Sequence, residues 1–169
     1  MKHIILLIIS ILVSSVFIKA QNNSDIISEI KNDEVIIRLH KLIDFSDIKE
    51  EMFVKMPKDG HKFYVAEISM ENISSKEIDM GGKYTIYLTL KDAKGNEYKS
   101  GLKGMSIVSY YNTQKGKSLY NKKSNDLCWG SSFPAKTKAR TLLCGFEVPK
   151  DAKLTSFGIS KYKLWNTIK

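Results

Sequence analysis

At 169 residues the chain has the length of one domain with a single core. Its 27 lysines and arginines outnumber 18 acids, a formal charge of +9, which favours anionic partners such as acidic polysaccharide, phospholipid headgroups or nucleic acid without choosing among them. No helix-turn-helix, zinc-finger or RNA-binding signature is present, which argues against nucleic acid, and three histidines and two cysteines leave few parts for metal or thiol chemistry.

Met1 and Lys2 lead into an apolar run of 15 residues, 4–18, closed by Lys19, Ala20 and the polar Gln21-Asn22-Asn23-Ser24. A positive start, an apolar middle and a small residue at the end read as a secretory signal peptide cut after Ala20. The alternative is a retained anchor, for which the run falls short of the roughly 20 residues that span a bilayer. No cysteine lies near the boundary, so a lipid-attachment signal is missing. The expected organisation is a signal peptide over 1–20, a leader over 21–33 and one β-sandwich domain over 34–169. The expected location is periplasmic or extracellular, with no membrane span after cleavage. Loss of Lys2 and Lys19 leaves 149 residues (169 less 20) with 25 basic side chains (27 less 2) against 18 acids, or +7.

In chain order, Asp25 is placed to cap a short turn through Ile26, Ile27, Glu29 and Ile30. Residues 35–42 read as a strand, and Ser46 followed by Glu50 resembles a helix start within 45–53. Tyr64, Ala66, Ile68 and Met70 alternate with Val65, Glu67, Ser69 and Glu71, the pattern of a strand with two distinct faces. Tyr84, Ile86, Leu88 and Leu90 alternate in the same way with Thr85, Tyr87, Thr89 and Lys91. Asp92-Ala93-Lys94-Gly95-Asn96 is a turn, with Gly95 available for positive φ. Further strands are expected at 106–111, at Leu142, Cys144, Phe146 and Val148 with their alternates, and at 154–160. Short strands separated by turn chemistry predict an all-β, antiparallel sandwich.

Several segments resemble a large family of bacterial exported proteins of unknown function with a telokin-like, immunoglobulin-like β-sandwich. The first is Pro57-Lys58-Asp59-Gly60-His61-Lys62-Phe63-Tyr64 running through to Glu71-Asn72, followed by Ser74-Ser75-Lys76-Glu77-Ile78. Leu88-Thr89-Leu90-Lys91-Asp92-Ala93-Lys94-Gly95-Asn96-Glu97-Tyr98, Phe133-Pro134-Ala135-Lys136 and Gly145-Phe146-Glu147-Val148-Pro149-Lys150-Asp151-Ala152 follow in the family's order. The resemblance covers about residues 35–160 and departs from the pattern between Lys99 and Phe133. It implies an immunoglobulin-like sandwich, export and a role in interaction or ligand display, and it supplies no catalytic residues.

Cys128 and Cys144 are the only cysteines, and an even count in an exported chain favours one disulfide between them. It would close a loop with fifteen residues between its ends, worth up to about 3 kcal/mol on the chain-entropy model. The alternative leaves Cys144 as a buried thiol beside Leu142 and Phe146. No histidine follows Cys128, so a thiol nucleophile would lack its base. His40 and His61 form no zinc pattern and read as surface or half-buried strand residues, and Asp92, Asn96 and Glu97 lack the register of a calcium loop. No enzyme activity, cofactor or metal site is expected.

Tyr110, Tyr111, Lys115, Lys117, Tyr120, Lys122, Lys123 and Trp129 mix aromatic and basic side chains in an expected loop or hairpin. Aromatic faces stack on sugars and lysines attract carboxylates and phosphates, so this segment is the candidate binding surface. The alternative is a solvated hairpin whose lysines guard a sheet edge. The expected function is an exported interaction module binding a protein or an anionic glycan, with enzyme inhibition through the same loop as a variant. A passive structural or stress-protective envelope protein is the competing reading.

Overall fold

The computed structural model describes residues 26–48, 56–115, 132–137 and 140–169. Strands β1 (Ser28–Lys31), β2 (Val35–Phe45), β3 (His61–Asn72) and β8 (Arg140–Pro149) form one antiparallel sheet in the order β1-β2-β3-β8. Strands β5 (Leu88–Asp92), β6 (Glu97–Lys99), β9 (Leu154–Ile159) and β10 (Leu164–Thr167) form a second, ordered β10-β9-β5-β6, and β4 (Ile78–Asp79) pairs with β7 (Ser132–Phe133). The expected antiparallel β-sandwich is therefore the fold.

Alternation decides which side chains meet. Ile37, Leu39, Ala66, Ile68, Met70, Leu142, Cys144, Phe146 and Val148 from the first sheet share a buried core with Leu88, Leu90, Phe157 and Ile159 from the second. Each fully buried aliphatic or aromatic side chain contributes about 1.5–3 kcal/mol relative to exposure, so this inter-sheet layer dominates the stability. The edge strands β1 and β10 are tied across the sandwich, Asn166 Nδ2 donating to the Glu29 carbonyl at 2.7 Å and the Lys169 amide to the Ile27 carbonyl at 2.9 Å. Those bonds use edge groups that would otherwise invite pairing with another chain.

Asn72 is the last residue of β3. Its Oδ1 accepts from the Ser74 amide at 2.9 Å, and its Nδ2 donates to the carbonyls of Lys76, Phe133 and Pro134. One side chain thus joins the end of β3 to the Phe133-Pro134 segment.

Several expectations are corrected. Residues 26–30 do not form a capped turn: Ser28–Lys31 is an edge strand paired with β2, because Ile30 reaches the core by strand alternation. The strand expected through Tyr84 begins only at Leu88; before it lie a short helix α1 (Met80–Lys83) and a 3₁₀ turn over Thr85–Tyr87. The Asp79 side chain accepts from the Gly82 amide and caps α1, which bends the chain before the alternation begins.

The third correction is the largest: residues 106–111 form no strand but lie within helix α2 (Gly101–Gln114). Gly104, Ile107, Val108 and Asn112 are its buried residues, a helical spacing that lays one stripe on the outer face of the first sheet. There Phe45, Phe63, Val65 and Leu143 join Ile107 and Val108 in a second, smaller core. Val65 and Leu143 are buried by that cover, on the strand face that alternation alone assigns to water. Ser46, expected to start a helix, instead donates its hydroxyl to Asp44, and residues 49–53 of that expectation lie outside the described residues, as does the signal segment 1–20.

Candidate functional site

The outward side of α2 carries exposed apolar side chains. Among the described residues the exposed large hydrophobics are Leu102 at 75%, Met56 at 49% and Met105 at 38% exposure. Leu102 and Met105 are three residues apart on α2 and so share a helix face. Beside them Phe63, Leu102, Lys103, Ser106, Ile107 and Tyr110 line a depression of about 360 Å³.

Glu147 of β8 anchors one rim. It accepts the Lys103 ammonium and, at Oε1, the Lys58 amide at 2.9 Å, which brings the segment bearing Met56 to the same end of the helix. Burial alone would raise the Glu147 carboxyl, but these two donors hold it below the usual carboxylate range. The groove therefore has an apolar floor, a hydroxyl from Ser106, a phenol from Tyr110 and an ammonium already committed to Glu147. Such a surface suits contact with apolar side chains, and methionine adapts to irregular partners.

The structure divides the segment singled out in the sequence. Tyr110 lines the groove. Tyr111 turns inward and meets Phe45 edge to face, with ring centroids 5.3 Å apart at 89°. Burial first, and then the charge of Glu67, push its hydroxyl above the ordinary tyrosine value. Lys115 follows the last helical residue with its ammonium 5.9 Å from the Tyr111 ring. The expected loop or hairpin is helical from Tyr110 to Gln114, and both tyrosines pack partly against the second core. Lys117, Tyr120, Lys122, Lys123, Cys128 and Trp129 lie outside the described residues, while Cys144 is buried on the inter-sheet face of β8. Sequence reasoning missed Leu102, Met105 and Met56; the helical spacing of Gly104, Ile107, Val108 and Tyr111 is the signal that could have found the first two.

Asp92 and its neighbours form the expected hairpin. The carboxylate accepts from the Lys94 and Asn96 amides and Asn96 Nδ2, each at 2.9 Å, and from the Tyr98 hydroxyl at 2.7 Å. Gly95, at φ 86°, supplies the left-handed residue that closes the turn. His40 and His61 are half-buried strand residues, as expected, one bonded to Ser69 Oγ at 2.7 Å and the other to the Asp59 carbonyl at 3.0 Å. Among the described residues no group of three or more His, Cys, Asp or Glu side chains is placed to hold a metal ion, and no helix is long and apolar enough to cross a membrane.

Fold and surface together define a β-sandwich with one helix laid on its outer face. A conserved hypothetical protein from Bacillus anthracis is similar in structure, with a TM-score of 0.56 and 16% identity over 83% of this chain and 92% of its own. A secreted protein from Mycobacterium tuberculosis gives a TM-score of 0.46 at 12% identity, covering 81% and 87% of the two chains. An uncharacterised β-sandwich protein from Clostridium difficile gives 0.43 at 14% identity, covering 80% and 85%. No protein-family model matches the chain, and no curated protein matches its sequence. At these identities the likeness is one of fold.

Proposed function

We propose that this chain is an exported, non-enzymatic interaction module of the telokin-like, immunoglobulin-like kind, and that it holds a partner polypeptide in the groove beside α2. The observation that carries this reading is the depression lined by Phe63, Leu102, Lys103, Ser106, Ile107 and Tyr110, with Leu102 75% exposed at its edge and the exposed Met105 three residues further along α2. Exposed apolar side chains collected at one place mark interaction surfaces more often than scattered ones do. Export rests on the signal-like residues 1–20 and on the family-like motifs.

The test is affinity capture from the envelope and medium of the producing cell, with the natural protein beside a Leu102→Glu, Met105→Glu variant. A discrete partner held by the first and lost by the second, with both folded, supports the groove as the site. A partner retained by the variant overturns it. Identical background from both returns the chain to the passive structural reading.

A further inference from the structure

The outer face of the β10-β9-β5-β6 sheet, on the opposite side of the sandwich from α2, is built unlike the rest of the surface. Leu88, Leu90, Phe157 and Ile159 turn into the core, so Thr89, Lys91, Ser156 and Gly158 turn outward, with Lys99 and Glu97 paired beside them on β6 and Trp165 and Thr167 on β10. Trp165 sits across from Gly158, and a Cβ added to that glycine would stand 2.5 Å from the indole. The missing side chain is what lets the ring lie against the sheet. The Lys91 ammonium stands over the indole, 3.7 Å from its centroid, and pairs with Glu97 at 3.4 Å. At the other end of β5, Lys161 stands 4.5 Å over the ring of Tyr87.

This face thus holds the Trp165 indole attended by Lys91, while Tyr87, attended by Lys161, precedes β5 and packs partly against the inter-sheet core. Lys91, Lys99 and Lys161 face a single acid, Glu97, and among the described residues neither Lys99 nor Lys161 forms an ion pair. Ser156 pairs with both Lys91 and Thr167, so these hydroxyls stand at the Lys91 end of the face. We propose that this sheet face binds an acidic polysaccharide, whose carboxylates or sulfates pair with Lys91, Lys99 and Lys161 and draw Lys91 off the indole, freeing that face of Trp165 to stack on a sugar ring. A sugar ring presents an apolar face to an aromatic platform, and the excess of cations selects an anionic chain over a neutral one. The exposed Lys91–Glu97 pair is the weak kind, so Lys91 exchanges it for a ligand anion at small cost. An extended sheet face also suits a linear polymer better than the compact groove at α2 does.

The test is titration calorimetry of the purified protein against polygalacturonate, dextran sulfate, neutral dextran and a single-stranded oligothymidylate. The natural protein is expected to bind at least one acidic polysaccharide in a salt-dependent manner and to ignore dextran; the carboxylated and sulfated polymers separate the two anion chemistries. Lys91→Glu with Lys161→Glu is expected to weaken binding about tenfold or more, whereas Lys76→Glu with Lys150→Glu, the same charge change elsewhere, leaves it within about twofold. Trp165→Ala is expected to weaken binding similarly, with its melting curve recorded because it uncovers Gly158; the lysine pair needs no such allowance. Equal loss in the control pair, tighter binding to the oligonucleotide, or no binding to either acidic polymer overturns the proposal.

Discussion

Gly104 of α2 and Gly145 of β8 meet backbone to backbone: a Cβ on either would stand 2.5 Å from the other's carbonyl oxygen. A Cβ on Gly145 would also stand 2.6 Å from the Ile107 Cβ, so main chain and a buried side chain of the helix both block it. Gly145→Ala is therefore expected to lift α2 from the sheet and cost about 1–3 kcal/mol, the usual scale of overpacking. Thermal unfolding checks this, and Gly60→Ala is not its control, because Gly60 sits at φ 71° and is strained for a different reason.

Asn72→Ala is expected to be at least as damaging. The side chain is fully buried and serves the Ser74 amide and three carbonyls, so truncation orphans several groups, each worth about 1–3 kcal/mol if left unsatisfied. Urea denaturation reads the loss. Asn72→Asp keeps the acceptor for Ser74 but places a charge against three carbonyl oxygens, and is expected to give no rescue.

Acid titration reports on Asp92. Asn96's side-chain amide is the main cause of its lowered pKa, opposed by desolvation and aided by the Tyr98 hydroxyl and the turn amides, and the value falls from 3.8 to about 2. The folded value lies below the unfolded one, so these bonds add stability above a pH of about 4 that is lost as pH falls through about 2. Asp92→Asn is expected to flatten that part of the stability profile, and NMR of the natural protein to show one carboxyl titrating near 2.

Alkaline pH reports on Tyr84. Its buried hydroxyl donates to Glu34 at 2.5 Å, and burial first, then that carboxylate, push its pKa far above the tyrosine range. Here the folded value exceeds the unfolded one, so the contribution is complete below pH of about 10 and is lost as pH rises above it. Ultraviolet titration is expected to show one tyrosine that ionises only as the protein unfolds, and Tyr84→Phe to remove it.

The groove substitutions separate binding from folding. Leu102→Glu and Met105→Glu fall on exposed positions and are expected to change stability by no more than about 0.5 kcal/mol each. Ile107→Ala, on the buried side of the same helix, is expected to cost about 2–5 kcal/mol. A melting temperature that drops equally for both classes would show that the outward face of α2 is packed in solution.

The strands that bound the main core were legible because alternation is a local property. Ala66, Ile68 and Met70, or Leu142, Cys144 and Phe146, fall on one face whatever surrounds them, and the Asp92 to Asn96 turn is closed by its own donors. Helix α2 was not legible as read, because β-branched and aromatic residues at 106–111 suit a strand equally well, and what chooses the helix is distant: Gly145 and Phe63 provide the surface on which its stripe is buried. For the same reason Val65 and Leu143 counted as solvent-facing until α2 covered them. The candidate surfaces depend on this still more strongly. Leu102 and Met105 become a site only when Glu147, over forty residues later in the chain, draws Lys103 and the Lys58 segment together. Trp165 meets Lys91 only when β9 inserts Gly158 between their strands. Local periodicity and turn chemistry suffice for the alternating strands of the main core and the Asp92 hairpin, whereas which side chains share a surface depends on contacts between distant segments, which local periodicity does not encode.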